Sequence, residues 1–273
     1  MGEFQTRFAP SPTYYLHLGH AASALHVWRA AERAGGRVLL RIEDIDTTRC
    51  RPEYSAAILE DLAWLGLDWP NPVRVQSEHF ADYANCVDSL RHRGLAYRCF
   101  RSRAELQTLP NPGAPGPHPI AEEARRQRRG DPFAWRLSLN AARDALGPLW
   151  HDLSYQEQVG ADRVTRSAQP ERHGDIVIAR KDSPSAYHVA VTHDDALQGI
   201  THVIRGQDLV GGAHIHTLLQ VLMDWPRPIY QHHALILDEN GQKLSKRQKS
   251  ISLASLRADG MTSEQVKARL GFA

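Results

Sequence analysis

Apolar and polar positions alternate between strand-like and helix-like spacing along the N-terminal part of the chain. Gln5-Thr6-Arg7-Phe8-Ala9 predicts a short strand, Pro10-Ser11-Pro12-Thr13 a turn, and the periodic stretch from Ala21 to Ala34 a helix. Gly35-Gly36 predicts the stop of that helix, and Arg37 to Ile42 a buried strand, which together make a β-α-β unit. Pro52 is suited to open the next helix, with Ile58, Leu59, Leu62 and Leu65 on one face and Gly66 closing it. Ser77 to Arg93 repeats the pattern through Phe80, Tyr83, Val87 and Leu90, with Gly94 behind.

Residues 1 to about 98 thus predict half of a Rossmann-type α/β domain built on a parallel sheet. The middle of the chain differs. Ser102-x-x-Glu105 predicts a capped short helix, and Pro110, Pro112, Pro115, Pro117 and Pro119 with Gly113 and Gly116 then break regular structure. Arg125, Arg126, Arg128 and Arg129 cluster on a further helix, where a solvated face is one reading. Strands are predicted again over Asp175 to Ala179, Ala186 to Val191 and Thr201 to Ile204, followed by a helix from about Gly212 to Met223. Tyr187 and Arg205 then fall at strand ends. Thr262-x-x-Gln265 predicts the cap of a last short helix carrying Val266 and Leu270.

Composition narrows the class. The 273 residues, 42% hydrophobic, suffice for one large domain or two with a substantial core. A net charge of only +2 means that a nucleic-acid partner needs a local basic patch rather than a global field. No run approaches the ~18 apolar residues of a membrane span and no apolar leader follows Met1, so no membrane partner is expected. Cys50, Cys86 and Cys99, odd in number and widely spaced, predict reduced thiols and a cytoplasmic location.

Two short segments carry the candidate chemistry. His17-Leu18-Gly19-His20 lies between the first turn and the first helix, where free backbone N–H groups and the helix dipole favour phosphate. Gly19 permits close backbone approach, and His17 and His20, three apart, point the same way on a helical turn. A zinc pair or two ordinary surface histidines are the competing readings. The second segment, Lys243-Leu244-Ser245-Lys246-Arg247, follows the strand-like Leu235-Ile236-Leu237 and the turn Asp238-Glu239-Asn240-Gly241. It concentrates cations that suit developing phosphate charge. No P-loop run exists in the chain.

As a pair, these segments resemble the HIGH and KMSKS motifs of class I aminoacyl-tRNA synthetases. Arg7-Phe8-Ala9-Pro10-Ser11-Pro12-Thr13 and Arg41-Ile42-Glu43-Asp44-Ile45-Asp46 are similar to the glutamyl branch. The resemblance implies a Rossmann-type catalytic domain split by an inserted α+β subdomain similar to an acceptor-binding one. Its halves are expected over 1–98 and 174–230, the insert over 99–173, and the lysine loop with a short helical C-terminal segment over 231–273. It also implies ATP, bound through His17, Gly19, His20, Lys243, Ser245 and Lys246, with Mg2+ carried on the nucleotide. His17, His20 and Lys246 would be catalytic. L-Glutamate would meet Arg7, Phe8, Ala9, Pro10, Ser11, Glu43, Tyr187 and Arg205, with Arg7 and Arg205 facing carboxylates and Glu43 the α-ammonium. For the Arg125 to Arg129 cluster the resemblance adds a second reading, contact with RNA phosphates.

Only 26 residues follow Arg247, so no anticodon-binding domain is expected. In this the chain resembles the short branch of the family, which glutamylates the queuosine of tRNA(Asp); that tRNA is the expected partner and a monomer the expected state. A truncated synthetase charging a tRNA 3′ end, or a non-catalytic ATP- or tRNA-binding relative, are the alternatives. Two departures stand out. Cys99-Phe100-Arg101 has one thiol where many relatives carry a C-x-C pair, so no structural zinc is expected. Tyr14 stands where the family usually has glycine. If that position needs a positive φ, tyrosine there costs about 1–3 kcal/mol; its ring would also crowd the nucleotide, and ATP would bind less tightly than in a Tyr14→Gly variant.

Overall fold

Parallel strand pairing organises the computed structural model, which describes residues 3–235 and 251–272. Strand β1 (Gln5–Phe8) pairs with β2 (Arg37–Ile42) from Gln5↔Arg37 to Phe8↔Leu40, and helix α1 (Leu18–Arg33) makes the crossover. The alanines that line the buried side of α1, Ala21, Ala22, Ala24 and Ala31, let it lie close to the strands. Helix α2 (Pro52–Trp64) opens on Pro52 as predicted, and β3 (Arg74–Val75) extends the sheet beside β2. Ile58, Leu62 and Leu65 are fully buried, but Leu59 is exposed, because it lies about 100° round the helix from Ile58. Helix α3 (Phe80–His92) buries Tyr83, Val87 and Leu90 and leads into β4 (Ala96–Cys99). Gly66 and Gly94, with φ of 70° and 71°, provide the left-handed residues just past α2 and α3.

The middle elements are α4 (Arg103–Gln107), α5 (Ile120–Arg128), β5 (Ala134–Leu137), α6 (Leu139–Leu146), β6 (Ser154–Val159) and β7 (Asp162–Ser167). Ser102 and Glu105 form the predicted capping box on α4. Then come β8 (Val177–Ala179), α7 (Tyr187–Leu197), β9 (His202–Gly206), α8 (Val210–Leu222) and β10 (Ile229–His233). The stretch Ala186 to Val191, predicted as a strand, is instead the start of α7. Its valines suggest a strand, but Val189, Ala190, Val191, Thr192, Asp194 and Asp195 are all buried, and a helix enclosed on several sides shows no helical apolar stripe.

Strands β9 and β10 pair in parallel from His202↔Ile229 to Gly206↔His233. Thr201 N–H donates to Gln5 O at 2.9 Å, and Thr201 Oγ1 accepts the Gln5 N–H at 2.9 Å, so β9 sits beside β1 and the two halves of the chain meet. The hairpin β6–β7 is antiparallel and joins β10 at Glu157↔Tyr230, giving the order β7-β6-β10-β9. A separate antiparallel sheet has the order β4-β5-β8. Among the described residues no helix is long and apolar enough to cross a membrane.

Helices α9 (Leu253–Ala258) and α10 (Ser263–Arg269) close the chain, and Thr262 and Gln265 form the predicted capping box of α10. Leu253, Leu256 and Val266 join Ile58, Leu62 and Leu65 in one buried cluster. Within this seam Asp61 is fully buried; both its carboxylate oxygens lack a hydrogen bond, and Arg257 Nη2 is 3.7 Å away. Burial raises the Asp61 carboxyl to about 6, Arg257 opposing the rise and Glu60 adding to it. A raised pKa means that folding is favoured by the protonated form, so this stabilisation is complete below the ordinary carboxylate range and is lost as pH rises through about 6. Asp61→Asn is therefore expected to melt above the wild type at pH 8 and to keep only part of that advantage at pH 5. An equal difference at both pH values, read by calorimetry, would contradict this origin.

Candidate active site

His17 is the N-cap of α1, and the two histidines form its capping box. His17 Nδ1 accepts the Gly19 N–H at 3.1 Å, and His20 Nδ1 accepts the His17 N–H at 3.2 Å. The ring centroids lie 3.9 Å apart with the planes tilted by 42°. Because both Nδ1 lone pairs are taken by backbone donors, each neutral ring carries its proton on Nε2, as a donor. Ser252 forms a bridge with His17, and Leu253 N–H donates to Leu16 O at 2.8 Å, so the chain beyond residue 250 is tied to this same capped turn. Lys243, Ser245, Lys246 and Arg247 lie outside the described residues, as does the predicted run from Ile236 to Gly241.

The remaining candidates gather at the carboxyl ends of β1, β2 and β9, the usual place for ligands on parallel sheets. Arg7 on β1 is buried and its Nε donates to Asp195 Oδ1 at 2.9 Å. Arg41 on β2, fully buried, bonds Asp195 Oδ1 at 2.9 Å and Glu43 Oε1 at 3.0 Å, with Asp194 Oδ2 at 3.9 Å from its Nε. Burial raises the Glu43 carboxyl above its ordinary value, with Arg41 and Arg7 opposing the rise. Glu43 N–H donates to Pro10 O at 3.0 Å and Arg51 N–H to Pro12 O at 3.0 Å, which fixes the Pro10 to Thr13 turn against β2. Ala9 and Pro10 continue from β1 into that turn; Phe8 packs edge-on against Trp28, and Ser11 is exposed, 3.8 Å from Cys50 Sγ.

Arg205, near the end of β9, is buried and, unlike Arg41, pairs with no carboxylate among the described residues. Its Nε donates to His232 Nε2 at 3.3 Å, its Nη1 lies 3.5 Å from His216 Nδ1, and its face covers Tyr230 at 5.0 Å, but its buried Nη2 has no partner. Tyr187 does not end a strand as predicted but opens α7, 39% exposed. Enclosure raises its phenol, Glu43 adds to the rise, and Arg205 and Arg7 oppose it, so these charges face one recess. His216 and His188 stand behind Arg205, 3.2 Å apart; burial, first of all, keeps both neutral, His188 at about 4 and His216 well below the ordinary value.

Arg41, Asp194, Asp195, His216 and His232 were not among the predicted site residues. A signal existed for three of them: Arg41 and Glu43, two apart at the end of a strand, share a face, and Asp194-Asp195 within an apolar stretch needs cations. Arg126 of α5 pairs with Glu105 at 3.2 Å and Glu122 at 3.1 Å, and Arg129 with Asp131 at 2.5 Å, whereas Arg125 and Arg128 are exposed. At Cys99-Phe100-Arg101 the strand is tied down by Arg101 Nη1 to Gly116 O at 2.9 Å, Phe100 N–H to His118 Nε2 at 3.3 Å and Lys181 Nζ to Phe100 O at 3.2 Å. Tyr14 does not have a positive φ; among the described non-glycine residues only Asp224 does. Its exposed ring stacks near Tyr54 at 6.3 Å. The strain expected at Tyr14 is absent.

Asp195→Ala removes a carboxylate shared by two buried guanidinium groups. It is expected to cost about 3–5 kcal/mol of stability, because the cations it leaves stay desolvated. An unchanged urea midpoint would contradict this.

Residues 3–139 and 148–271 match the family model described as the catalytic domain of class I tRNA synthetases (E and Q). The chain is 40% identical to a glutamyl-Q tRNA(Asp) synthetase of Rhodobacter capsulatus over 98% of this chain and 99% of that one. It is 37% identical to a protein of the same description from Nitratidesulfovibrio vulgaris, over 97% of this chain and 85% of that one. Among solved structures, a glutamate tRNA ligase from Elizabethkingia meningosepticum in complex with its amino acid superposes with a TM-score of 0.71 at 29% identity, over 90% of this chain. The match covers 52% of that ligase, about half its length.

Proposed function

This chain belongs to the catalytic-domain family of class I tRNA synthetases for glutamate and glutamine, which are ATP-consuming ligases, and we propose that it activates L-glutamate and transfers it to the queuosine of tRNA(Asp). One observation carries the amino-acid half of this reading: the buried Arg205 guanidinium has a bare Nη2 and no carboxylate of its own. A desolvated cation in that state calls for an anionic ligand, and a carboxylate satisfies it with charge-assisted hydrogen bonds. Glutamate's side-chain carboxylate meets Arg205 and Arg7, beside the Tyr187 phenol, and its α-ammonium meets Glu43. The transfer half rests on the near-full-length likeness to relatives bearing that description.

In the first step the α-carboxylate attacks the α-phosphorus of ATP and pyrophosphate leaves. The Nε2–H groups of His17 and His20 donate to phosphate oxygens, and Lys246, with Lys243 and Ser245, completes the nucleotide site. Mg2+ would come with the nucleotide, where it would neutralise triphosphate charge. In the second step a hydroxyl of the queuosine cyclopentenediol attacks the mixed anhydride and AMP departs. The protein works as a monomer in the cytoplasm.

Two outcomes test the reading. Labelled glutamate, supplied with ATP and Mg2+, is expected to pass to tRNA(Asp) containing queuosine and not to the unmodified tRNA. Transfer instead to the 3′ end of tRNA(Glu) would point to a truncated synthetase, and no transfer at all to a binding protein. The ammonium site also predicts a pH profile. Glu43 pairs with the α-ammonium only when ionised, and its pKa is raised, so KM for glutamate should climb as pH falls through a range above that of ordinary carboxylates. A KM that is flat between pH 8 and pH 5 would contradict that role.

A further inference from the structure

Four side chains form a line across the sheet β7-β6-β10-β9, one from each strand: Arg166, Glu157, His232 and Arg205. Arg166 Nε donates to Glu157 Oε2 at 2.7 Å, Glu157 Oε1 lies 2.7 Å from His232 Nδ1, and His232 Nε2 is 3.3 Å from Arg205 Nε. Strand pairing dictates this. His232 is the direct partner of Arg205 in the β9–β10 register, and Glu157 is the single residue of β6 in register with β10, opposite Tyr230. Tyr230 and His232, two apart on β10, present the same face, and Arg205 lies over Tyr230.

The proton positions in this line are forced. An ionised Glu157 only accepts, so His232 Nδ1 must carry the hydrogen between them. Burial, the largest influence, holds the His232 imidazolium below its ordinary range even though Glu157 favours the charge, so the ring is neutral. Its Nε2 is then a lone pair, the form that can receive the Arg205 Nε–H. A flipped ring or the other tautomer would set N–H against N–H. With Nε held by His232, Nη1 against His216 and the flat face on Tyr230, the orientation of the guanidinium is fixed on three sides and Nη2 is the nitrogen without a hydrogen bond.

We propose that Glu157, carried on the β6–β7 hairpin, is a positioning residue for the glutamate pocket, acting through His232 to fix the orientation in which Arg205 receives the bound side-chain carboxylate. This inference rests on the reading that Arg205 receives that carboxylate. The hairpin thus contributes to the pocket without touching the substrate, and Glu157 also supplies, one imidazole away, the negative charge that makes a buried Arg205 tolerable when no ligand is bound.

Pyrophosphate exchange, run in the presence of tRNA, tests it with five variants. Glu157→Ala should raise KM for glutamate about tenfold while leaving KM for ATP unchanged, because misaiming the carboxylate partner weakens glutamate binding alone. Glu157→Gln keeps an acceptor for His232 Nδ1–H but loses its fit to Arg166, and should recover most of that loss. His232→Phe should match Glu157→Ala, and the double variant should be no worse than either single one, since both break the same link. Equal rises in both KM values, additive losses, or an unchanged glutamate KM in Glu157→Ala would overturn the inference. Arg205→Lys separates the two levels. If it leaves glutamate KM unchanged the pocket reading itself fails, whereas if it raises that KM and Glu157→Ala does not, only the positioning role falls.

Discussion

Two arginines, both removed from water on the parallel sheet, have opposite electrostatic situations, and the site follows from that difference. Arg41 is compensated in charge: Asp195, Glu43 and Asp194 surround it, although its Nε makes no hydrogen bond, and the cluster extends through Asp195 to Arg7. Its task is cohesion, since it ties β1, β2 and α7 together. Arg205 has only imidazole nitrogens and an aromatic face, and its Nη2 has nothing. A buried guanidinium without a counter-charge is costly, and the cost falls when a carboxylate arrives. The same physics that makes Arg41 structural makes Arg205 receptive.

The nucleotide end is governed by backbone geometry instead. A helix N-terminus leaves N–H groups unpaired, and here two of the backbone N–H groups at the start of α1 are taken by histidine Nδ1 atoms. That choice sets the tautomer of both rings and turns their Nε2–H edges into donors. The bridge from Ser252 to His17, and the packing of Leu253 and Leu256 against α2, bring the C-terminal segment to the same turn. Distant parts of the chain are therefore joined at one helix start by a few backbone contacts and a shared apolar seam.

Local features were legible in the sequence where the cause is local. Gly66 and Gly94 end helices, the pairs Ser102/Glu105 and Thr262/Gln265 cap them, and His17 and His20 point together, because each depends only on residues a few positions apart. The nature of α7 was not legible, since its valines favour a strand and only tertiary enclosure makes a helix of them. Nor were the roles of Asp195 and His232, whose partners are 188 and 27 residues away. The strain expected at Tyr14 rested on what relatives carry there, and the backbone of this chain does not require it. The reach of the β6–β7 hairpin into the sheet beside β10 depends on a single register contact that no pattern of hydrophobicity encodes.

The central claim is that an unpaired buried guanidinium selects for a carboxylate. Glutamate and glutamine are nearly the same size and differ at the group that meets Arg205, so their relative kcat/KM in pyrophosphate exchange, measured with tRNA present, isolates that interaction. A site built around this desolvated cation should prefer glutamate by at least about a thousandfold, since an amide leaves the charge unmatched. Comparable activation of glutamine would mean that Arg205 does not hold the side chain, and the account of the pocket would fail.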